Sequence, residues 1–413
     1  MNITIHRGSN EIGGTCIQLS TAKTTILLDL GLPLSKESKK LDLSSIKADA
    51  IIISHPHQDH YGLIDSFDHS VPVYIGKLGK SLIDVVGIFI GKEPLANEFR
   101  HFEKWQPFNV GDFTITPYLV DHSAVDAYAF LIEAEGKRIF YSGDFRAHGR
   151  KRVLFDNMIA KPPKNIDVMF MEGTMMQRSN DEFPTEEAVE KKIYDTIVNQ
   201  ENIAFLISSS QNIDRIVSAY RACKRAEKTF VIDLYTAWVL ERMRTVTANV
   251  PGIGWDNVRV YADRNYDEVL KKNLELFGDF RRAAYQYRIQ KEELKANPEQ
   301  YLYLSRMSKS RIINLYKGNK AVNLIYSQWL GYLKCSNEEC FGAEQIAAYQ
   351  HDKQINFVYA HTSGHATVPD LKKFAAALKP KRLIPIHTEQ PALYAEYFDS
   401  VVTPLLDDEA FVL

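Results

Sequence analysis

An apolar strand, Ile51-Ile52-Ile53-Ser54, runs directly into His55-Pro56-His57-Gln58-Asp59-His60-Tyr61-Gly62. Few folds can use such a junction, because four metal-binding side chains leave one strand end within six residues. Pro56 disfavours the helical region for His55 and keeps it extended. Residues two apart in an extended chain point the same way, so His55 and His57 face one spot. A helix beginning near Gln58 turns Asp59 and His60 towards a neighbouring spot. Imidazole with carboxylate suits zinc and admits manganese, and the cluster is compact enough for two adjacent ions.

The rest of the chain repeats this placement. Asp121-His122, Gly143-Asp144, Glu172, His361, His365 and His387 each fall where a predicted strand ends. In an α/β sheet, strand ends along one edge converge on the ligand crevice. A histidine-rich surface loop would not be matched in this way.

The organisation follows from apolar periodicity. The first 175 residues are strand-rich, with short runs at 24–29, 48–53, 113–120, 127–134, 138–141 and 167–171. Thr185 then caps a predicted helix over 186–200, with Glu186 and Glu187 at its positive end. Strand 203–208, helix 213–225, strand 229–233 and helix 235–245 follow, an alternation that reads as a parallel α/β unit. Residues 265–317 read as helical and basic. The end returns to strand, helix and strand at 355–359, 369–378 and 382–386. These elements predict one α/β domain formed by 1–175 and 351–413, interrupted by a second at 176–350.

At 413 residues, a sizeable core in one large or two smaller domains is expected. No apolar run approaches the roughly 18–20 residues of a membrane span. The strand-like Asn2 to His6 offers no secretory signal. Four cysteines (16, 223, 335 and 340) are too few and scattered for a disulfide framework, and the 335/340 pair lacks the second pair a structural zinc would need. A cytoplasmic protein is expected. The net charge of −2 argues against a uniformly basic nucleic-acid binder. Residues 271–320 nevertheless carry +7, leaving −9 elsewhere. Tyr285, Tyr287, Tyr301, Tyr303 and Tyr316 lie among these cations. That mixture suits a single strand with paired phosphates and stacked bases, or a solvated helical face with core tyrosines.

The ordered motifs resemble the metallo-β-lactamase superfamily and, within it, the β-CASP nucleases, most closely the ribonuclease J family. The matching parts are Asn10 to Gly14, Leu28-Asp29-Leu30-Gly31, the 55–60 cluster, Asp121-His122-Ser123, Ser142-Gly143-Asp144, Glu172-Gly173-Thr174, His361-Thr362-Ser363-Gly364-His365 and Pro385-Ile386-His387-Thr388-Glu389. The resemblance implies an αββα sandwich with an inserted α/β β-CASP domain. It implies that His55, His57 and His122 hold one metal, that Asp59, His60 and His387 hold the second, and that Asp144 bridges them. Asp29 orders the histidine loop instead of ligating. Asp59, Glu172 and His365 are the expected catalytic residues, with His365 placed at the scissile phosphate and Glu172 tuning it. His361, Ser363 and Gly364 are expected to contact substrate, as nests of backbone N–H groups do. Ser210, in Ser208-Ser209-Ser210-Gln211-Asn212, either binds phosphate at a helix N-terminus or belongs to a plain cap.

The implied activity is hydrolysis of single-stranded RNA by metal-activated hydroxide, with two zinc ions or manganese, 5′-to-3′ from an end and also internally. DNA is the rival substrate, because few contacts read the 2′-hydroxyl. A small-ester hydrolase leaves the insertion and the Glu172/His365 pair unexplained. A metal-free binding subunit is at odds with intact residues at all seven ligand positions. The chain ends at Leu413, shortly after the last motif, so the C-terminal domain of typical family members is expected to be absent, with a homodimer as one possible assembly.

Overall fold

The structure is a computed structural model and describes residues 1–35, 37–334 and 341–413. The chain divides into two compact units: residues 1–84, 93–180 and 364–413, and residues 85–92 with 181–363.

The first unit is built on two seven-stranded sheets. One orders Ala410–Val412, Asn2–Arg7, Cys16–Ser20, Thr25–Leu28, Ala50–Ile52, Val73–Tyr74 and Phe99–Arg100 from edge to edge. The other orders Val401–Val402, Arg382–Ile386, Val168–Glu172, Lys137–Tyr141, Tyr128–Ala134, Phe113–Leu119 and Phe108–Val110. Strand alternation sends Ile3, Ile5, Ile17, Leu19, Ile26 and Leu28 of the first sheet against Phe113, Phe130, Ile132, Ile139 and Phe170 of the second. The outer faces are covered by helices. Phe155 and Met158 from Val153–Ala160, and Leu371, Phe374 and Leu378 from Val368–Leu378, pack on one sheet. Tyr61, Ile64 and Ile83 pack on the other, against Leu27, Ile51 and Val73. The expected αββα sandwich is therefore the architecture of this unit.

The second unit centres on a six-stranded sheet whose adjacent strands are all parallel, ordered Val258–Tyr261, Thr229–Asp233, Tyr301–Ser305, Ala204–Ile207, Val322–Tyr326 and Ile355–Tyr359. Three of its helices begin with side-chain caps beside the strands of this sheet. Thr185 accepts from Ala188 N before Glu186–Ile197, Asn212 from Arg215 N before Ile213–Arg225, and Asp233 from Thr236 N before Leu234–Met243.

Two expectations need correction. Residues 265–317 are not continuously helical, because Tyr301–Ser305 is an interior strand paired on both sides. Tyr301, Tyr303 and Tyr316 are buried in the unit's core, so they are packing residues and not a stacking surface. The strand Ile355–Tyr359 belongs to the second unit, since its backbone pairs in parallel with Val322–Tyr326; the compact unit therefore runs to Ser363, past the predicted boundary at 350. Cys335 and Cys340 lie outside the described residues.

Candidate metal centre

Five turns of the first unit bring the site together. His57 starts a one-turn helix, Gln58–Tyr61, which places Asp59 and His60 after the extended His55. Leu30 N donates to His60 O and Leu32 N to Gln58 O, so the segment after Asp29 seats this helix. Gly31 has no room for a Cβ, which would collide with the Asp59 carbonyl.

Three nitrogens converge first. His57 Nδ1 lies 3.2 Å from His55 Nε2 and 3.3 Å from His122 Nε2. Two ligand nitrogens on a tetrahedral zinc are separated by about 3.3 Å at ordinary Zn–N distances. Burial drives His55 and His122 well below the usual histidine range, with the neighbouring imidazoles adding to it, and takes His57 down to about 4. All three are neutral at pH 7, the form in which imidazole ligates. Their ring nitrogens converge closely enough for one cation to accept all three.

A second group surrounds Asp144. Its Oδ2 lies 3.1 Å from His60 Nε2, 3.6 Å from His387 Nε2 and 3.7 Å from His55 Nε2. Asp59 Oδ2 stands 3.8 Å from both His60 Nε2 and His387 Nε2. Burial opposes the Asp144 charge, but His387, His60 and His365 outweigh it and hold the carboxyl well below its usual range. Asp144 Oδ1 and His387 Nε2 are buried without a hydrogen-bond partner among the described residues. Buried polar atoms of this kind are costly unless something fills the gap. The groups His55/His57/His122, His55/His60/Asp144 and Asp59/His60/His387 each bring their ligand atoms within 4.8 Å of one another. The donor set and the orphaned atoms fit metal.

The other ring nitrogens of His60, His122 and His387 are engaged, which orients those rings. His60 Nδ1 meets Asp29 Oδ2 at 2.7 Å. Asp29 also accepts Ser54 N–H, Ser54 Oγ–H and the Tyr141 hydroxyl. His122 Nδ1 lies 2.6 Å from the Gly364 carbonyl. His387 Nδ1 sits against the first glycine loop, where it accepts from Gly13 N at 3.3 Å and lies 3.2 Å from Thr15 Oγ1. Such outer partners fix tautomer and orientation.

His365 and Glu172 flank the centre. Glu172 is fully buried and accepts from Thr174 N at 3.0 Å and Ala366 N at 3.2 Å. Its Oε2 lies 3.4 Å from His365 Nδ1, and Asp144 Oδ2 lies 3.8 Å from the same atom. Burial works against protonating His365, but the two carboxylates outweigh it and raise its pKa above the usual histidine value.

Not every expected residue joins this cluster. Ser210, His361 and Ser363 belong to the six-stranded unit. Ser210 Oγ is shared between Thr236 Oγ1 and Arg306 Nη1, and His361 Nδ1 lies 3.2 Å from the Ser327 carbonyl. Gly364 is in the first unit, where its carbonyl serves His122 and a Cβ would collide with Ser123. The sequence reading missed that carbonyl, along with Thr15 and Tyr141, because only backbone proximity reveals them.

Residues 24–193 match the family described as the β-lactamase superfamily domain, and residues 355–400 match the Zn-dependent metallo-hydrolase RNA specificity domain. With the αββα sandwich and its histidine–aspartate cluster, these matches define a member of the metallo-β-lactamase superfamily. Ribonuclease J of Helicobacter pylori strain B128 is 24% identical over 412 residues, which cover 94% of this chain and 56% of that one. An RNase J-like protein of Methanocaldococcus jannaschii is 24% identical over 420 residues, covering 94% and 92%. Within the superfamily, the chain is thus similar along more than nine-tenths of its length to ribonuclease J and RNase J-like proteins. It spans about 56% of the length of the Helicobacter relative. Among solved structures, a protein of unknown function from Enterococcus faecalis V583 has the same fold, with a TM-score of 0.78 and 22% identity over 100% of this chain and 99% of that one.

Proposed function

We propose that the protein is a metal-dependent ribonuclease that hydrolyses phosphodiester bonds of single-stranded RNA, working 5′ to 3′ and also cutting internally. The observation that carries this reading is Asp144, whose one carboxylate oxygen lies within 4 Å of His55, His60, His387 and His365. In this reading His55, His57 and His122 would hold one zinc or manganese ion and Asp59, His60 and His387 another, with Asp144 available to both. Metals there supply Lewis-acid charge and bring the pKa of water towards neutrality.

The chain supplies the rest. Asp29, Gly364 and Thr15 keep the ligand rings aimed, so that little reorganisation accompanies reaction. Glu172 engages His365 Nδ1 and favours the imidazolium. The proton on His365 Nε2 is then the one handed to the departing 3′ oxygen, as a general acid does. Asp59 lines the same centre and orients the attacking water. The match of residues 355–400 to an RNA specificity domain favours RNA over DNA or a small ester.

The test is incubation of purified protein with labelled single-stranded RNA and DNA bearing 5′-monophosphate, 5′-hydroxyl or 5′-triphosphate ends. Preferential stepwise degradation of 5′-monophosphate RNA is expected. Cleavage of DNA alone, or rapid hydrolysis of simple esters with no polynucleotide cut, would overturn the proposal.

A further inference from the structure

The segment Arg146-Ala147-His148-Gly149-Arg150-Lys151-Arg152 follows the Asp144 turn and holds four cations in seven residues. It lies on the strand end that supplies His122. Arg146 N donates to the Asp121 carbonyl at 2.7 Å, and Arg146 Nε lies 3.4 Å from Asp121 Oδ1. Gly149 passes so close that a Cβ would collide with both Arg146 and Asp121. Lys151 Nζ lies 3.4 Å from the carbonyl of His122 and 3.7 Å from Asp121 Oδ1.

Three features of Lys151 call for more than packing. Asp121 already has Arg146, so Lys151 is a second cation beside one carboxylate. Its contacts are long for an ammonium with three protons, and its side chain is 34% exposed. It also stands, with Arg152, immediately before the helix Val153–Ala160, where the helix dipole disfavours positive charge. Arg152 is the residue at the cap position and makes no side-chain cap bond. A segment that breaks local electrostatic preference and is anchored beside a metal-ligand candidate is a place where function overrides stability.

We propose that Lys151 is a substrate-phosphate contact, receiving a backbone phosphate of the nucleic acid on the His122 side of the metal centre. This rests on the nuclease reading above. Lys151 acts as a point charge on phosphate and reads no base. The neighbouring carbonyl and carboxylate hold the ammonium in place without saturating it.

The experiment measures binding of a fluorescent, cleavage-resistant 2′-O-methyl single-stranded RNA to the metal-loaded full chain across a salt series. It compares wild type with Lys151→Gln and Lys151→Arg, and measures zinc content in each. One lost phosphate contact lowers the slope of log affinity against log salt by about 0.7. Lys151→Gln is expected to show that drop with zinc content unchanged, and Lys151→Arg to keep the wild-type slope. An unchanged slope in Lys151→Gln, or loss of zinc from it, would overturn the inference; the latter would make Lys151 a prop for His122. Absence of polynucleotide binding by wild type would instead overturn the nuclease reading on which the inference rests.

Discussion

The Nδ1–H of His122 donates to the carbonyl oxygen of Gly364 at 2.6 Å, joining positions 242 residues apart. One consequence is geometric: His122 Nε2 is left facing His57. Another is steric, because Gly364 reaches this carbonyl position only by packing against Ser123, where a Cβ has no space. Gly364→Ala should therefore displace the turn and weaken zinc binding by about tenfold or more. Ser123→Gly in the same chain opens the space and should restore most of the affinity. Competition against a chromogenic chelator measures both; equal loss in the single and double variants would contradict the steric account.

Asp29 touches no ligand atom of the convergent nitrogens yet accepts from Ser54 and Tyr141 and meets His60 Nδ1. Asp29→Asn keeps the shape and removes the charge. It should lower zinc affinity about 10–100-fold while leaving the secondary structure intact. Isothermal titration with zinc, alongside circular dichroism, separates this from simple unfolding.

His365→Gln should leave zinc content near the wild-type value and slow cleavage by about 10²–10⁴, the range for losing a general acid. Loss of metal from this variant would make His365 a ligand, which its distance of 3.8 Å from Asp144 makes worth measuring directly.

Much of this centre was legible because the signals are short in sequence. Strand-ending histidines and aspartates announce themselves, and a His-x-His segment after an apolar run has few other uses. The elements that escaped are those decided by distant partners. Tyr301–Ser305 contains no β-branched residue and sits among charges, so its composition suggested helix; its place is set by pairing with Ala204–Ile207 and Thr229–Asp233. Likewise Ile355–Tyr359 looks the same in sequence whichever sheet it joins. The phosphate role expected of Ser210 competes with what surrounds it, a hydrogen-bonded group of Thr236 and Arg306.

That group makes its own prediction. Burial pushes the Asp233 carboxyl upward, but Arg306 at 2.5 Å and the Thr236 donors outweigh it, so its pKa lies below the usual range. A depressed folded-state pKa contributes stability above the unfolded value, about pH 4, and that contribution is lost as pH falls through the folded value. Asp233→Asn should cost about 3–5 kcal/mol at pH 7, because it leaves Arg306 short of its buried partner. Urea midpoints of wild type and variant should converge as pH drops below about 4. A gap that stays constant to acid pH would contradict the assignment.

The most direct test of the whole account is zinc titration of chelator-stripped protein with cleavage of 5′-monophosphate single-stranded RNA followed at each addition. No cleavage is expected without metal, then a rise that saturates near two equivalents, and no recovery in His57→Ala. Full cleavage by metal-free protein, or none at any zinc or manganese loading, would contradict it.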